Sequence, residues 1–331
     1  NQACLDRIFV NKSASCLVNP RACNETELIY DAVNVPKSIA VVGGGPAGLA
    51  FAAVAAERGH KVTLFEKSDT LGGQFNLAKR IPGKEDYQHT APYFHYQLTK
   101  YGATILLNTE ANQELLKAFD EVVLATGIKP RIPEIQGIEN PKVVSYVDVI
   151  TGQKKIGQRV AIIGAGGIGF DVAEFLTHEC NGSNQDFYRE WGIDISSQHR
   201  GGIDLSGRLP ANTSRQVYLL QRKKAKMGAS LGKTTGWIHR LSLKHKNVQM
   251  ISGVNYQRID DAGLHLLIDE KPVTLDVDTI VICAGQIELK TLYEPLKTAG
   301  MKVHVIGGAY KALELDARHA INQACRLAAL I

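Results

Sequence analysis

Two glycine runs carry the most distinctive chemistry in this chain. The first, Gly43-x-Gly45-x-x-Gly48, closes the apolar run Ile39-Ala-Val-Val42 and opens a helix-like stretch over residues 49–58. The second, Gly164-x-Gly166-x-x-Gly169, closes Arg159-Val-Ala-Ile-Ile163 and leads into Phe170-Asp-Val-Ala-Glu-Phe-Leu176. Strand, glycine turn and helix in that order make a dinucleotide-binding unit. The first glycine permits the tight turn. The second keeps side-chain atoms away from a pyrophosphate, and the third lets helix and strand pack closely. N–H groups at the helix start then face the phosphates.

The two units end differently. Lys61-Val-Thr-Leu-Phe-Glu66 places a carboxylate where ribose hydroxyls can donate to it. Gln216-Val-Tyr-Leu-Leu-Gln221 runs instead into Arg222-Lys-Lys224, with no acid. Arg222 can fork onto phosphate oxygens and Lys223 adds a point charge, which suits a 2′-phosphate; a solvated basic turn is the plainer reading. The first unit therefore suits FAD and the second NADPH. Together they describe a flavoprotein in which hydride passes from nicotinamide to flavin.

The surrounding elements complete each unit. In the first, residues 87–101 predict a helix, 104–109 a third strand, 114–118 a short helix and 121–127 a fourth strand. Three prolines over residues 128–143 read as a linker. In the second, residues 230–245 predict a helix on which Trp237 and Ile238 pack. Short strands follow over 248–251, 255–259 and 264–268. Asp278-Thr-Ile-Val-Ile-Cys-Ala-Gly285 mirrors Glu121-Val-Val-Leu-Ala-Thr-Gly127. A last strand over 302–308 and helix over 315–330 return to the first unit, with the helix N-terminus near Asp316 aimed at its ligand. Residues 181–212 read as an insertion of polar, Gly-rich loops.

The expected fold is α/β: two nested Rossmann-like domains of the two-dinucleotide-binding flavoprotein type, with a loop-rich N-terminal arm. The boundaries are 1–35 for the arm, 36–155 with 289–331 for the FAD-binding domain, and 156–288 for the inserted NADPH-binding domain.

Bulk properties exclude several classes. The 331 residues suffice for two domains, and 44% hydrophobic with 21% charged residues is ordinary for a soluble protein. The net charge of +5 is scattered, which argues against nucleic acid and is compatible with anionic cofactors or CoA-type substrates. Residues 38–56 carry no charge, but their glycines and proline make a buried strand and turn of them, not a membrane span. The six cysteines, Cys4, Cys16, Cys23, Cys180, Cys283 and Cys325, are too dilute for a disulfide framework, so a reducing cytoplasmic setting is expected. Three of them fall in the arm, read either as unpaired thiols on loops or as part of an iron–sulfur site. The chain has no initiating Met and reads as part of something longer.

Several segments are shared with a known group. They are Asn-Gln-Ala-Cys4, Ser-Cys16-Leu-Val-Asn-Pro-Arg-Ala-Cys23, Leu71-Gly-Gly-Gln74, Gln221-Arg-Lys223, Leu231-Gly-Lys-Thr-Thr-Gly-Trp-Ile-His-Arg240 and Leu315-Asp-Ala-Arg318. With the two glycine turns they make the chain resemble the C-terminal FAD/NADPH portion of bacterial NADPH-dependent 2,4-dienoyl-CoA reductases, among the old yellow enzyme-related iron–sulfur flavoproteins. In that family an N-terminal barrel of the same polypeptide holds FMN and the acid–base residues that reduce an enoyl-CoA-type substrate in fatty acid β-oxidation. A 4Fe-4S cluster on a Cys-x2-Cys-x3-Cys-x11-Cys pattern joins the two parts. The resemblance implies that Cys4 and Cys16 are two cluster ligands and Cys23 is not, with Asn1-Gln2-Ala3 filling the preceding gap.

It implies FAD contacts at Ala47, Glu66, Gln74, Lys84 and Ala111, beside the turn glycines Gly43, Gly45 and Gly48 and with Gly308 also expected at that site. It implies NADP contacts at Arg222 and Lys223, beside the turn glycines Gly164, Gly166 and Gly169. Taken alone, Lys84 reads equally as a solvated lysine and Leu71-Gly-Gly-Gln74 as a plain turn. One departure is Gly308-Ala309, where many relatives have Gly-Asp; no ribityl carboxylate is assigned. No substrate-reducing catalytic residue is expected in this chain. Two other readings stand beside this one. A disulfide reductase of related fold needs a Cys-x-x-Cys pair, which the sequence lacks. A nucleotide-holding docking domain without hydride chemistry does not need Arg222-Lys223 or an intact second turn.

Overall fold

The computed structural model describes residues 3–178, 183–205, 207–209, 213–313 and 316–331; Cys180 lies outside them. The chain forms two compact units. Asn1–Arg131, Gly232–Thr234 and Gly285–Ile331 make the first, and Ile132–Leu231 with Thr235–Ala284 the second.

The first unit holds a five-stranded parallel sheet in the order Lys302–Val305, Glu121–Leu124, Ser38–Val42, Lys61–Phe65, Thr104–Leu106. The nested arrangement is thus observed: the strand that follows the second unit in sequence pairs in the sheet of the first. Ile39, Ala40, Val41, Val122, Val123 and Leu124 are wholly buried, because a parallel sheet is covered on both faces. Helix Pro46–Glu57 has Pro at its first position and is almost all alanine and other apolar residues. It is buried with Ala320, Ile321, Ala324, Cys325 and Ala328 of helix Ala317–Leu330 in one core, which also takes in Ala3, Leu17 and Leu28 of the arm. Burial, helped by the nearby Glu57 charge and opposed by a hydrogen bond with Tyr30, pushes the Cys325 thiol up to about 12, so it stays protonated and acts as a core residue.

The second unit repeats the plan: Val143–Ser145, Thr279–Ile282, Arg159–Ile163, Gln216–Gln221, Gln249–Ser252, all parallel. An antiparallel sheet of Val254–Asp260, Gly263–Ile268 and Lys271–Leu275 adds a strand that the sequence reading lacks. Pro272 hides it, although proline is tolerated on such an edge. No described helix is long and apolar enough to cross a membrane.

Four expectations change. The junctions fall at 131/132 and 284/285 rather than 155/156 and 288/289, because Val143–Ser145 pairs with Thr279–Ile282 and draws helix Tyr146–Thr151 into the second unit. The expected linker is partly ordered: Ile128–Pro130 pairs antiparallel with Gln286–Glu288. The described part of the insertion includes a helix, Asn184–Trp191, capped by Ser183 and ended by Gly192 at φ 64°. Trp237 and Ile238 do not pack but are 57% and 42% exposed, since helix Gly236–His245 buries Gly236 and Leu243 instead.

The mirrored acids also shift by one position. Asp120, not Glu121, corresponds to Asp278. Asp120 accepts from Ser38 N–H and Oγ, both 2.7 Å, and Asp278 accepts from Arg159 N–H at 2.9 Å, so each carboxylate clamps the first residue of its central strand. Glu121 does something else. Its side chain is 3% exposed and accepts from Lys37 Nζ (2.7 Å), Lys302 Nζ (2.9 Å) and His304 Nε2 (2.7 Å). Burial works against its ionisation, but the hydrogen bonds from Lys37, Lys302 and His304 outweigh it and hold the pKa down to about 2. A folded-state pKa below the unfolded value contributes stability above the ordinary carboxylate range and loses it as pH falls. Unfolding midpoints should therefore drop between the ordinary glutamate value and about pH 2. Glu121→Ala should cost about 3 kcal/mol at neutral pH by stranding its partners, and should flatten that acid limb in denaturant titrations.

Candidate functional site

The first glycine turn divides its labour. Gly43 has φ +109°, and a Cβ there would sit 2.5 Å from the Ala125 carbonyl oxygen; one on Gly48 would sit 1.9 Å from the Gly43 oxygen. Both glycines are needed to build the turn. Gly45 is not: its φ of −80° suits any residue, and a Cβ there would meet only Gly73 Cα, at 4.0 Å. It is also the N-cap of helix Pro46–Glu57, with no side chain capping that terminus. A glycine that the fold does not require, at an uncapped helix start, is what close approach of a pyrophosphate demands. On this observation FAD fits the residues present.

Of the other expected FAD residues, Glu66, the segment before Gln74 and the turn holding Gly308 reach this turn. Glu66 is buried; its Oε2 accepts from Gly44 N–H at 2.7 Å, and its Oε1 accepts from Ser68 N–H at 2.9 Å and Ser68 Oγ at 2.6 Å. A carboxylate offers about four acceptor positions, so with three taken one remains for a ribose hydroxyl. Ser68 escaped the sequence reading, although a small hydroxyl residue two positions after an acid is a familiar turn pattern. Gly72 and Gly73 are more than a plain turn. Gly72 N–H donates to Gly44 O at 2.8 Å, and a Cβ on Gly73 would lie 2.9 Å from Gly45 Cα. Gln74 follows immediately, before the single helical turn Phe75–Ala78.

Thr109 N–H donates to Glu66 O at 2.9 Å, two residues before buried Ala111. Gly308 lies in the buried turn Gly307–Ala309. Gly307 N–H donates to Gln323 Oε1 at 2.8 Å, and a Cβ on Gly307 would come within 2.7 Å of Ala47 Cβ. The turn therefore abuts the start of helix Pro46–Glu57. Helix Ala317–Leu330 starts where expected, with Asp316 accepting from His319 N–H at 2.7 Å. Lys84 stands before the 3-10 turn Glu85–His89, its N–H donating to Ile81 O at 2.9 Å.

The second turn repeats the division. A Cβ on Gly164 (φ +111°) would lie 2.3 Å from the Cys283 oxygen, and one on Gly169 1.9 Å from the Gly164 oxygen. A Cβ on Gly166 would meet nothing within 4 Å, beside the uncapped start of helix Gly167–Thr177. A pyrophosphate fits here by the same test.

Strand register then identifies the residue in Glu66's place. Ser38 pairs with Lys61 and Arg159 with Gln216, so Gln221 occupies the position of Glu66. Its amide donates to Lys223 O at 2.8 Å and Ala225 O at 3.0 Å, closing the basic turn from within and leaving Arg222 and Lys223 exposed. The missing acid is visible in the sequence; the role of Gln221 follows only from its hydrogen bonds. The Arg222 charge reaches Tyr256, whose phenol is pushed up by burial and partly drawn back by Arg222.

In the arm, Ser15 N–H donates to Ala3 O at 2.8 Å, so Cys4 and Cys16 lie on neighbouring stretches of chain. That suits two ligands of one cluster. No group of three or more His, Cys, Asp or Glu side chains among the described residues forms a metal site. No two described cysteines are joined by a disulfide.

The sequence pattern of the pyridine nucleotide-disulphide oxidoreductase family matches residues 37–323. The chain belongs to this family. It is an NAD(P)H-dependent flavin oxidoreductase module of the Rossmann type. It is 33% identical over 334 aligned residues to a metal reductase of Desulforamulus reducens, covering 98% of this chain and 49% of that protein. It is 38% identical over 185 residues to a cinnamate reductase of Clostridium sporogenes, covering 54% of this chain and 27% of that protein. A solved complex of 2-naphthoyl-CoA reductase with 2-naphthoyl-CoA superposes with a TM-score of 0.83 at 28% identity, over 100% of this chain and 46% of that one. The chain thus spans about half the length of the relatives that it matches end to end.

Proposed function

We propose that this chain is the electron-input module of a 2,4-dienoyl-CoA reductase, taking hydride from NADPH onto FAD and passing electrons to a 4Fe-4S cluster and to FMN in an N-terminal barrel. The observation that carries the reading is the contrast between two otherwise identical turns. One closes on the buried Glu66 carboxylate, and the other on a glutamine that shapes a cationic turn. Bound FAD supplies the ability to accept a hydride and to release electrons singly. The protein's part is to hold and orient.

Gly45 and Ala47 present backbone to the FAD pyrophosphate, Glu66 accepts from the ribose, and Gln74, Lys84, Ala111 and Gly308 line the rest of that site. Gly166 presents backbone to the NADPH pyrophosphate, Arg222 forks onto the 2′-phosphate and Lys223 adds charge beside it. Cys4 and Cys16 hold two corners of the cluster. A CoA thioester substrate is supported by the likeness to 2-naphthoyl-CoA reductase along the entire chain. A cytoplasmic setting accords with cluster thiolates that must stay reduced.

The test uses the polypeptide that includes the barrel. NADPH oxidation should be coupled to loss of a dienoyl-CoA's conjugated absorbance. Cys4→Ser and Cys16→Ser should each abolish that coupling while leaving NADPH oxidation by an artificial dye within about twofold, because dye reduction needs only the flavin. Turnover with ferric iron but none with dienoyl-CoA would replace this reading with a different acceptor, the one suggested by the name of the Desulforamulus relative.

A further inference from the structure

The motif Leu231-Gly-Lys-Thr-Thr-Gly236 is not among the residues expected at either nucleotide site, and the structure gives it a partner. Asp6, on the short helix Leu5–Ile8, accepts through Oδ1 from Thr234 N–H at 2.7 Å and from Thr234 Oγ1 at 2.8 Å. Gly232 makes room for this: a Cβ there would lie 2.7 Å from Asp6 Oδ2. Gly232–Thr234 and Asp6 belong to the same compact unit.

The motif is shaped in advance. A Cβ on Gly236 would press on Leu231 Cβ at 2.8 Å, and Arg240 Nη1 donates to Gly228 O at 2.9 Å. At the other end of the bond, Asp6 sits two residues after Cys4, the N-cap of its helix. Cys4 O accepts from Arg7 N–H at 3.1 Å, and Ala3 O accepts from Ser15 N–H at 2.8 Å. Arg7 Nε donates to Ser13 O, so the loop from Cys4 to Cys16 is closed upon itself. Asp6, held to Thr234, therefore fixes the turn at the Cys4 end of this loop.

We propose that Asp6 is a positioning residue for the Cys4 thiolate. By holding the Thr234 N–H and hydroxyl it fixes the turn that begins at Cys4, and so sets how that thiolate is presented to the cluster. A carboxylate suits this task because one oxygen takes both donors of a single Thr residue, which pins two directions at once.

The proposal rests on the reading of Cys4 as a cluster ligand, and two readouts keep the two claims apart. The first is the rate at which an alkylating reagent labels each cysteine in the 331-residue chain, resolved by peptide mass, with the exposed Cys16 and Cys23 as internal standards. Asp6→Ala should speed labelling of Cys4 about tenfold, as loss of two bonds to a charged acceptor would. Cys16 and Cys23 should stay within about twofold, since a local release leaves the rest of the chain protected as before. Thr234→Val, which keeps the N–H donor, should give a smaller increase, and Asp6→Asn and Thr234→Ser should remain near wild type. Unchanged Cys4 labelling in Asp6→Ala, or an equal rise at all three cysteines, overturns the clamp. The second readout is iron bound by the polypeptide that includes the barrel. Loss of iron in Cys4→Ser supports the ligand reading. Retention overturns it, and with it the purpose given to the clamp, whatever the labelling shows.

Discussion

Gly45→Ala should leave the fold intact and remove FAD. The new Cβ would meet only Gly73 Cα, at 4.0 Å, and the backbone at φ −80° is one alanine adopts freely. Stability without the cofactor should therefore change by less than about 1 kcal/mol, reduced chain entropy being offset by alanine's poorer N-cap tendency. FAD affinity should fall by about 100-fold or more, because the methyl stands where the pyrophosphate meets the helix start. Thermal melts of the FAD-free protein and equilibrium binding of FAD measure the two effects separately. Gly43→Ala is the contrasting control. There φ is +109° and the Cβ would overlap the Ala125 oxygen, so the apoprotein itself should be destabilised. If Gly45→Ala binds FAD as wild type does, the turn is not a pyrophosphate cradle.

Replacing Arg222 and Lys223 together with Ala should raise the KM for NADPH about 100-fold while changing that for NADH less than about threefold. Charge-assisted hydrogen bonds of this kind contribute about 1.5–3 kcal/mol each, and only NADPH has the 2′-phosphate that receives them. Both side chains are exposed, so their loss should not disturb the fold. Gln221→Glu makes the complementary case. A carboxylate cannot donate to Lys223 O and Ala225 O as the amide does, and it offers the ribose an acceptor as Glu66 does in the first unit. It should weaken NADPH and improve NADH. Steady-state kinetics with both nucleotides check the pair; an equal loss for both would show a turn damaged rather than a phosphate site removed.

The parts of this molecule legible in its sequence are those where one physical requirement dictates several residues in a row. A strand buried on both faces, a turn with no room for side chains and a helix packed on its neighbour produced both glycine runs and the nested return of Lys302–Val305 to the first sheet. Glu66 and the pair Arg222-Lys223 could be picked out because they follow those runs at fixed places. What stayed hidden depends on pairing across the chain. That Gln221 stands where Glu66 stands is a fact of strand register, and the same register moves the mirrored acid from Glu121 to Asp120.

The ribbon of Ile128–Pro130 with Gln286–Glu288 unites segments far apart in sequence, so a proline-rich stretch looked like linker. Trp237 and Ile238 suggested packing by type alone, yet a helix of their length buries one stripe and they lie off it. Thr234 takes its role from Asp6, which lies 228 positions away in sequence.

The most direct test of the central claim is anaerobic reduction of the purified, FAD-loaded chain. FAD should be bound one per chain, bleached by stoichiometric NADPH and far more slowly by NADH at the same concentration. A chain that binds FAD and NADPH without bleaching, or that NADH reduces as fast as NADPH, would contradict that claim.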